Sequence, residues 1–263
     1  MNPNSRFISI DGGNTRLKVT LFPAEIDGVS GSAPEVRYFE AGDIEGLMEW
    51  IEEICREGEM PECAMAVVGH FDPRLAESLR NRLGEERFLL ITSATPLPIG
   101  VRYATPHTLG LDRKAAACGA VALEGAVPMI IVDAGTALTI DRVDEAGNFN
   151  GGNISPGLKM RFRALHDFTA ALPMIEEAPE DFDRFGRDTR SAIIAGVEGG
   201  WLDEIVAAIR RGRKSGVRKV LLCGGDAALL AALLAREEMG VEVKHMPHLV
   251  ASGIRMIYDF NEK

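Results

Sequence analysis

Two aspartates stand in the same local setting at distant points of the chain. Asp11 ends the apolar run FISI and is followed by GGNT, and Asp133 ends the run MIIV and is followed by AGTA. Glycine lets the backbone approach a phosphate, adjacent N–H groups can bind the anion, and a carboxylate can hold the magnesium ion that neutralises it. Asp-Gly followed by Gly-Asn is also typical of a hairpin turn. The second copy favours a duplicated phosphate-binding device.

The segments around both aspartates predict paired strands. Residues 6–22 alternate apolar and polar on both sides of GGNT, which is typical of two strands joined by a tight connection. Residues 129–133 and 138–143 repeat this arrangement around the second turn. Both turns are therefore predicted at strand tips, where a ligand can reach them.

Strands and helices alternate through the rest of each half, which predicts an α/β fold with a mostly parallel sheet covered on both faces. In the first half, strands are predicted near 35–39, 64–68 and 87–91, with helices at 43–58, 72–84 and 111–122. In the second half, a glycine-rich connection at 151–157 leads to helices, a long helical insertion at 189–213, a strand at 219–223, a glycine turn at 224–225 and a helix at 227–235.

The length of 263 residues suits two related domains. We expect an N-terminal domain over residues 1–118 and a C-terminal domain over residues 119–263. No Pro-rich linker separates them, so we expect them to pack directly around a cleft.

Composition excludes several classes of function. A net charge of −10 disfavours a general nucleic-acid or anionic-membrane surface. A basic cluster over residues 210–219 lacks interleaved aromatic residues and is interpreted as a solvated helix end. The four cysteines, Cys55, Cys63, Cys118 and Cys223, form no C-x-x-C pair and are interpreted as reduced small hydrophobes.

The N-terminus and the hydropathy pattern indicate a soluble protein. The first residues run directly into a predicted strand, which does not resemble a signal peptide, and no apolar stretch approaches the roughly 18 residues needed to span a bilayer. We expect a cytoplasmic location.

Five segments in order resemble a known family. They are DGGNTRLK (11–18), YATPHTLGLDR (103–113), DAGTALTID (133–141), GGNISPG (151–157) and CGGDA (223–227). The sequence resembles a type III pantothenate kinase of the acetate and sugar kinase/Hsp70/actin superfamily. The resemblance extends from residue 6 to PHLVASGI near residue 254. It implies duplicated actin-like (ribonuclease H-like) domains with a nucleotide cleft between them.

The resemblance assigns the first turn to ATP. Asp11 would organise Mg²⁺, and the other contacts would come from Gly12, Gly13, Asn14, Thr15, Arg16, Leu17 and Lys18. Lys18 is equally compatible with a solvated strand position.

The resemblance assigns the GLDR segment to pantothenate. Asp112 would be the general base for the substrate hydroxyl, although the start of a helix also favours an aspartate for its macrodipole alone. Arg113 offers a planar fork of donors to a carboxylate, and a surface ion pair is its alternative role. The remaining implied contacts are Tyr103, Gly110 and Leu111.

The second turn and a later threonine complete the implied site. Asp133 would share the site with a monovalent cation, K⁺ or NH₄⁺, and Thr136 would contact ATP. Thr189 would reach pantothenate from the partner subunit of a homodimer, and it could also cap the following helix. Asp141 is interpreted as structural, and Gly225 is a candidate for adenosine-side contact.

Some positions depart from the family pattern. The segment VVGH stands where a serine is common, and Cys223 stands where a threonine often precedes Gly-Gly. These changes affect ancillary contacts. His70 and His107 are interpreted as turn residues, since the base is already supplied by Asp112.

The sequence is compatible with three functions. The first is ATP-dependent phosphorylation of pantothenate to 4'-phosphopantothenate, which opens coenzyme A synthesis. The second is a non-catalytic regulatory protein of the Bvg accessory factor type. The third is another small-molecule kinase of the superfamily. Retention of Asp11, Asp112, Arg113, Asp133 and Thr136 favours the first.

Overall fold

The structure is a computed structural model that describes residues 5–13, 16–26, 29–30, 33–67, 71–176, 179 and 181–262. Its contacts divide the chain into two compact units. Unit 1 comprises Met1–Gly125 and His248–Lys263, and unit 2 comprises Ala126–Pro247. The division expected from the sequence, between residues 118 and 119, differs from these units because it falls inside a helix of unit 1.

Unit 1 contains a five-stranded sheet with the order β5-β2-β1-β6-β7. Its strands are β1 (Phe7–Gly12), β2 (Arg16–Phe22), β5 (Glu35–Glu40), β6 (Glu62–Val67) and β7 (Phe88–Ile91). Two further strands of two residues each, β3 (Glu25–Ile26) and β4 (Val29–Ser30), pair with each other. The first three helices are α1 (Ile44–Arg56), α2 (Pro73–Leu83) and α3 (Leu111–Glu124).

Unit 2 contains a second five-stranded sheet with the order β10-β9-β8-β11-β12. Its strands are β8 (Met129–Ala134), β9 (Ala137–Val143), β10 (Phe149–Pro156), β11 (Lys219–Cys223) and β12 (Glu242–His245). Its helices are α4 (Leu158–Asp167), α5 (Thr189–Ile194), α6 (Gly200–Lys214) and α7 (Ala227–Leu234), with a π-helical turn at Ala195–Gly199 between α5 and α6. The last helix of the chain, α8 (Leu249–Asn261), belongs to unit 1.

The two sheets share one topology. In unit 1, β1 pairs antiparallel with β2 and parallel with β6, β5 extends the antiparallel side beyond β2, and β7 extends the parallel side beyond β6. In unit 2, β8 pairs antiparallel with β9 and parallel with β11, and β10 and β12 extend the two sides in the same way. The duplication inferred from Asp11 and Asp133 is therefore confirmed. The expectation of mostly parallel sheets is wrong, because the opening strand-turn-strand and its third strand form a meander, and only strands reached through helical crossovers are parallel.

The glycine-rich segment 151–157 is also corrected. It is largely strand β10 rather than a connection. Gly151 adopts a φ of +75° where the register of β10 against β9 shifts between Phe149 and Gly152. A Cβ at Gly152 would overlap Asp141, so glycine is what allows the two strands to pair here.

Strand β1 is buried on both faces. Ile8 and Ile10 pack with α1 and α2 through a cluster that includes Leu47 and Leu79. On the opposite face, Phe7 packs with α3 and α8, including Tyr258 at 5.3 Å between ring centroids. Each fully buried side chain of this size stabilises the fold by about 1.5–3 kcal/mol. The burial fixes the end of β1, and hence Asp11, within unit 1.

Helix caps follow the sequence predictions. Asp43 accepts a hydrogen bond from Gly46 N at 3.0 Å at the start of α1, and Asp72 accepts one from Arg74 N at 2.9 Å at the start of α2. Gly84 ends α2 with a φ of +93°. The capping role suggested for Thr189 is wrong, because Asp188 caps α5 in a reciprocal arrangement with Ser191 and Thr189 is the first helical residue.

The predicted solvated character of the basic cluster agrees with its contacts. Arg210 pairs with Glu237 at 3.2 Å, and Arg218 donates to the carbonyl oxygens of Arg213 and Val217. Cations at the end of α6 thus bind the carbonyl groups that a helix C-terminus leaves exposed.

Candidate active site

The first turn lies between β1 and β2. Asp11 faces Lys18 in the antiparallel register, and Gly13 N donates to Arg16 O at 2.9 Å to close the turn. Gly12 is buried, and a Cβ there would stand 2.8 Å from Val67 Cγ2 of β6. Glycine at this position therefore lets the turn pack closely on the neighbouring parallel strand. Asn14 and Thr15, like His70, lie outside the described residues.

The predicted substrate segment forms the start of α3. Gly110 is the N-cap, and the carboxylate of half-buried Asp112 accepts a hydrogen bond from Arg113 N at 2.8 Å. A Cβ at Gly110 would overlap the same carboxylate oxygen, so glycine leaves room for Asp112 to fold over the helix end. The predicted general base therefore stands at the N-terminus of α3, next to the N–H groups that the first turn of a helix leaves unpaired.

The structure also brings Tyr103 to Arg113. The guanidinium carbon of Arg113 lies 5.9 Å from the centroid of the Tyr103 ring, and the arginine is only 5 % exposed. Such a cation–π arrangement restricts the orientation of the guanidinium fork. Arg113 is buried, so the surface position considered in the alternative does not apply, and its role toward pantothenate stays a prediction.

A cavity of about 280 Å³ in unit 1 adjoins this helix start. Two predicted substrate residues, Gly110 and Leu111, line it. The other lining residues are Val67, Phe71, Leu90, Ile91, Thr92, Ser93, His107 and Leu109. His107 occupies a short 3₁₀ turn, as interpreted, but it also contributes to the cavity wall.

The sequence analysis did not name most of these additional wall residues, although the order of the predicted strands indicates their position. Strands β1, β6 and β7 are parallel, so their carboxyl ends meet at one edge of the sheet. Val67 and Ile91 end two of those strands, and Thr92 and Ser93 follow directly. Applying the edge rule to the predicted strands would have placed them beside Asp11.

The second turn lies between β8 and β9 in unit 2. Asp133 faces Thr139 in the register, and Gly135 N donates to Ala137 O at 3.2 Å. The exposed Thr136 provides its carbonyl oxygen to Gly157 N at 3.0 Å. This bond ties the turn to the residue that precedes α4.

The CGGDA segment packs against the same turn. Gly224 has a φ of +93°, and a Cβ there would lie 2.6 Å from Ala134 O and would overlap Asp133. Asp226 N donates to Ala134 O at 2.9 Å. Three backbone turns thus approach the carboxyl end of β8 without intervening side chains. Glycine is required at positions 224 and 157, because a Cβ at either one would overlap protein atoms of the β8–β9 turn.

Asp226 itself is half-buried at the start of α7. Burial raises the pKa of its carboxyl group, and the nearby ammonium of Lys159 in α4 acts in the opposite direction. Neighbouring Gly225 is exposed, with no atom within 4 Å of where a Cβ would stand. Its role on the adenosine side stays a prediction.

Thr189 lies in unit 2, on the wall of a different cavity of about 1060 Å³. The walls are mainly apolar, with Met160, Leu165, Phe168, Leu172 and Ile193 among the lining residues. Phe168 is 88 % exposed. Thr189 therefore belongs to a large open apolar surface of unit 2, whereas Tyr103, Gly110 and Arg113 belong to unit 1.

The cysteines are free, and three of them, Cys63, Cys118 and Cys223, are buried, while Cys55 is half-buried. Burial raises the pKa of Cys118 to about 12. Within the described ranges, no three His, Cys, Asp or Glu side chains gather as a metal site, and no helix is long and apolar enough to cross a membrane.

The fold places the chain in a broad class. A protein from Campylobacter jejuni described as a Baf family transcriptional activator superposes with a TM-score of 0.60 at 20% identity, covering 97% of this chain and 98% of that one. The ethanolamine utilization protein EutJ from Carboxydothermus hydrogenoformans gives 0.51 at 18% identity, covering 95% and 89%. With the repeated sheet topology, these likenesses define a protein of duplicated actin-like domains.

Sequence comparison defines the family within that class. The sequence model of the type III pantothenate kinase family matches residues 7–211, and the chain belongs to this family. A type III pantothenate kinase of Azobacteroides pseudotrichonymphae is 34% identical over 98% of each chain. One of Bacteroides fragilis is 38% identical over 82% of this chain and 84% of its own. The family resemblance inferred from the five segments is confirmed.

Proposed function

We propose that this protein phosphorylates pantothenate with ATP, giving 4'-phosphopantothenate and ADP in the first step of coenzyme A biosynthesis. The observation that carries the proposal is the position of Asp112, which stands at the start of α3 beside the cavity lined by Gly110 and Leu111. Membership of the type III pantothenate kinase family supports the same substrate. The alternatives, a regulatory protein and a kinase for another small molecule, receive no comparable support.

The cavity of unit 1 is the proposed pantothenate site. Its apolar walls suit the branched carbon skeleton of the substrate, and the buried Arg113 provides a fork that can pair with the carboxylate. Stacking on Tyr103 would hold that fork in one orientation. These residues bind and orient the substrate.

Asp112 is the proposed general base. Its carboxylate takes the proton of the terminal hydroxyl as that oxygen bonds to the γ-phosphorus, while the bond from the γ-phosphorus to the β–γ bridging oxygen breaks. The proton then passes to solvent, and ADP leaves. One carboxylate oxygen already accepts from Arg113 N, which fixes the group while its other oxygen serves the substrate.

The two repeated turns are proposed to hold ATP. Asp11 and the residues through Lys18 would bind the triphosphate in unit 1, with Asp11 holding Mg²⁺. The turn at Thr136 would contact ATP in unit 2, where Gly224 and Gly157 let the neighbouring backbone pack closely on that turn. When bound, Mg²⁺ neutralises charge on the phosphate oxygens. Asp133 is the proposed ligand for K⁺ or NH₄⁺, since a carboxylate facing phosphates needs a cation between them.

A homodimer is proposed around the apolar surface at Thr189. The open cavity at Thr189 has mainly apolar walls and Phe168 beside it is 88 % exposed, and exposed apolar surface of this kind is typical of a protein interface. In this proposal, Thr189 of one protomer reaches the pantothenate of the other. The free cysteines fit a reducing compartment, and we propose the cytoplasm.

The proposal is tested by measuring ADP formation with pantothenate, acetate and a panel of sugars, each with and without K⁺. Of these substrates, we expect only pantothenate to support ADP formation. We expect the rate to be higher with K⁺ or NH₄⁺ than with Na⁺. Activity on a sugar but not pantothenate would identify a different kinase. Absence of turnover with every substrate and cation would favour the regulatory alternative.

A further inference from the structure

A second buried cation follows Arg113 in the first turn of α3. The side chain of Lys114 is only 4 % exposed. Burial costs an ammonium group its hydration, and the positive end of the helix dipole opposes it further. A leucine or methionine would fill the same space without these costs. The lysine therefore needs an explanation beyond packing.

The described contacts of Lys114 identify what it binds. Its Nζ lies 3.5 Å from Ser93 O, and its backbone N donates to Gly110 O at 3.1 Å. Burial lowers the pKa of the ammonium group, while the Cys118 thiolate would oppose that shift. Among the residues that the structure describes, the ammonium group of Lys114 contacts this one carbonyl oxygen, which compensates a buried charge poorly, so the contact is maintained at a cost.

Both contacted residues belong to the walls of the cavity in unit 1. Ser93 lies in a turn in which Thr92 N donates to Thr95 Oγ1 at 2.9 Å and Thr95 N donates to Thr92 O at 3.2 Å. Thr92 and Ser93 form one wall, and Gly110 contributes to another. The backbone amide of Lys114 makes the ordinary helical bond to Gly110 O, so it is the ammonium contact with Ser93 O that links the turn to the helix whose start lines the cavity.

We propose that Lys114 is a positioning residue for the substrate, which sets the separation between the Thr92–Thr95 turn and the start of α3. It makes no contact with the reacting atoms. This inference rests on the proposed function, in which the cavity holds pantothenate. Its effect falls on the binding of that substrate, because the cavity is preformed only when both walls are held.

The test is Lys114→Met, which removes the ammonium and keeps a long apolar side chain. We expect the KM for pantothenate to rise about tenfold, the KM for ATP to stay unchanged and kcat to stay within about twofold, since a displaced wall weakens positioning. Lys114→Arg retains a donor toward Ser93 O and should recover most of the lost affinity. Lys214→Met, at the exposed end of α6, is the matched lysine control.

Two further measurements separate this role from others. Pantothenol, in which a hydroxymethyl group replaces the carboxylate, should lose affinity by the same factor; a loss confined to pantothenate would indicate direct charge pairing and overturn the inference. Thermal unfolding should show no destabilisation of Lys114→Met. A lowered melting temperature with an unchanged KM would reduce Lys114 to a structural residue.

His107→Trp tests the site assignment independently, because His107 is an exposed wall residue and the larger ring would occupy the cavity. We expect it to block pantothenate binding. An unchanged KM in this variant would remove the cavity from the proposed function. A raised KM in His107→Trp together with an unchanged KM in Lys114→Met would contradict only the role of Lys114.

Discussion

Asp11 stands directly opposite Lys18 in the antiparallel pairing of β1 and β2. Directly paired residues project from the same face of a sheet, so a carboxylate and an ammonium share one end of the turn. In unit 2 the equivalent aspartate, Asp133, faces Thr139 instead. The two turns join equivalent strands but differ in length and in the residue opposite the aspartate, and the proposed function gives them different ions, Mg²⁺ with the triphosphate at the first and a monovalent cation at the second.

Asp11→Asn should lower kcat/KM for ATP about 10²–10³-fold, because an amide cannot neutralise Mg²⁺ beside the phosphates. The measurement is the initial rate as a function of ATP and Mg²⁺ concentration. Asp167→Asn is the matched control, since Asp167 forms an exposed ion pair with Arg163. Equal rates for Asp11→Asn and the control would remove Asp11 from the nucleotide site.

Asp112→Asn should reduce kcat about 10²–10⁴-fold, since the variant has no basic oxygen to accept the hydroxyl proton. The asparagine oxygen can still accept from Arg113 N, so the start of α3 and ATP binding should persist. Product formation, ATP calorimetry and thermal unfolding check these points together. Asp43→Asn, at another helix start of unit 1, should behave as wild type because asparagine caps a helix equally well. Normal turnover in Asp112→Asn would refute the assignment of the base.

Gly224→Ala should destabilise unit 2 by about 1–3 kcal/mol. The residue has a φ of +93°, which costs an L residue about 1–2 kcal/mol, and its Cβ would press on Asp133 and Ala134. Chemical denaturation measures the loss. Gly225→Ala is the matched control, because open space surrounds the position of its Cβ. Similar stability of the two variants would show that the turn relaxes and that Gly224 does not hold Asp133 in place.

The sequence predicted the parts of the fold that local chemistry determines. Asp43 and Asp72 cap the starts of α1 and α2 through their side chains, and Gly84 ends α2 through its backbone conformation. The repeat around Asp11 and Asp133 predicted the duplicated sheet opening. The strand β10 was missed because glycines at 151 and 152 resemble a loop. The close approach of Asp141 explains Gly152, and the φ of +75° at the register shift explains Gly151.

The candidate site also contains residues that the sequence could identify and residues that it could not. Gly110, Asp112 and Arg113 could be named from one contiguous segment. The wall formed by Val67, Thr92 and Ser93 could not, since these residues are ordinary in type and meet only through the parallel pairing of β1, β6 and β7. Burial of Lys114 likewise depends on the packing of α3, which helical periodicity alone does not specify.

Gly253→Ala should destabilise unit 1 by about 1–3 kcal/mol or more, because the new methyl group would overlap the carbonyl of Ala115. Gly119 on the facing helix is also tight, because its Cβ would lie 2.4 Å from Leu249 O and 3.0 Å from Gly253 N. Helices α3 and α8 would have to separate, which would also shift the start of α3. Thermal and chemical unfolding, with KM for pantothenate, measure both effects.

Gly200→Ala provides the contrast for this variant. Gly200 is helical and has no atom within 4 Å of its Cβ position, so alanine there should be neutral or stabilise by about 0.5–1 kcal/mol through helix propensity. Equal stability of Gly253→Ala and Gly200→Ala would contradict the close approach of α3 and α8.

His248, which precedes α8, should make stability depend on pH. Burial lowers the pKa of its imidazole below the ordinary 6.5, and the charge of Lys18 acts in the same direction. Its Nδ1 is buried and has no hydrogen-bond partner among the residues that the structure describes. The folded protein therefore keeps the ring neutral, whereas the unfolded chain takes up a proton below about pH 6.5. This contribution to stability is complete above that pH and is lost as the pH falls toward the lowered folded value.

His248→Phe retains an aromatic ring and removes the titration, so its melting temperature should fall less than that of wild type between pH 7.5 and 5.5. The comparison cancels the contributions of the other histidines, which both proteins share. Lys18→Met should act in the same direction more weakly, because the folded pKa of His248 would rise toward its ordinary value. An identical pH dependence in wild type and His248→Phe would mean that the imidazole becomes protonated without cost, and that its surroundings are more polar than the buried Nδ1 indicates.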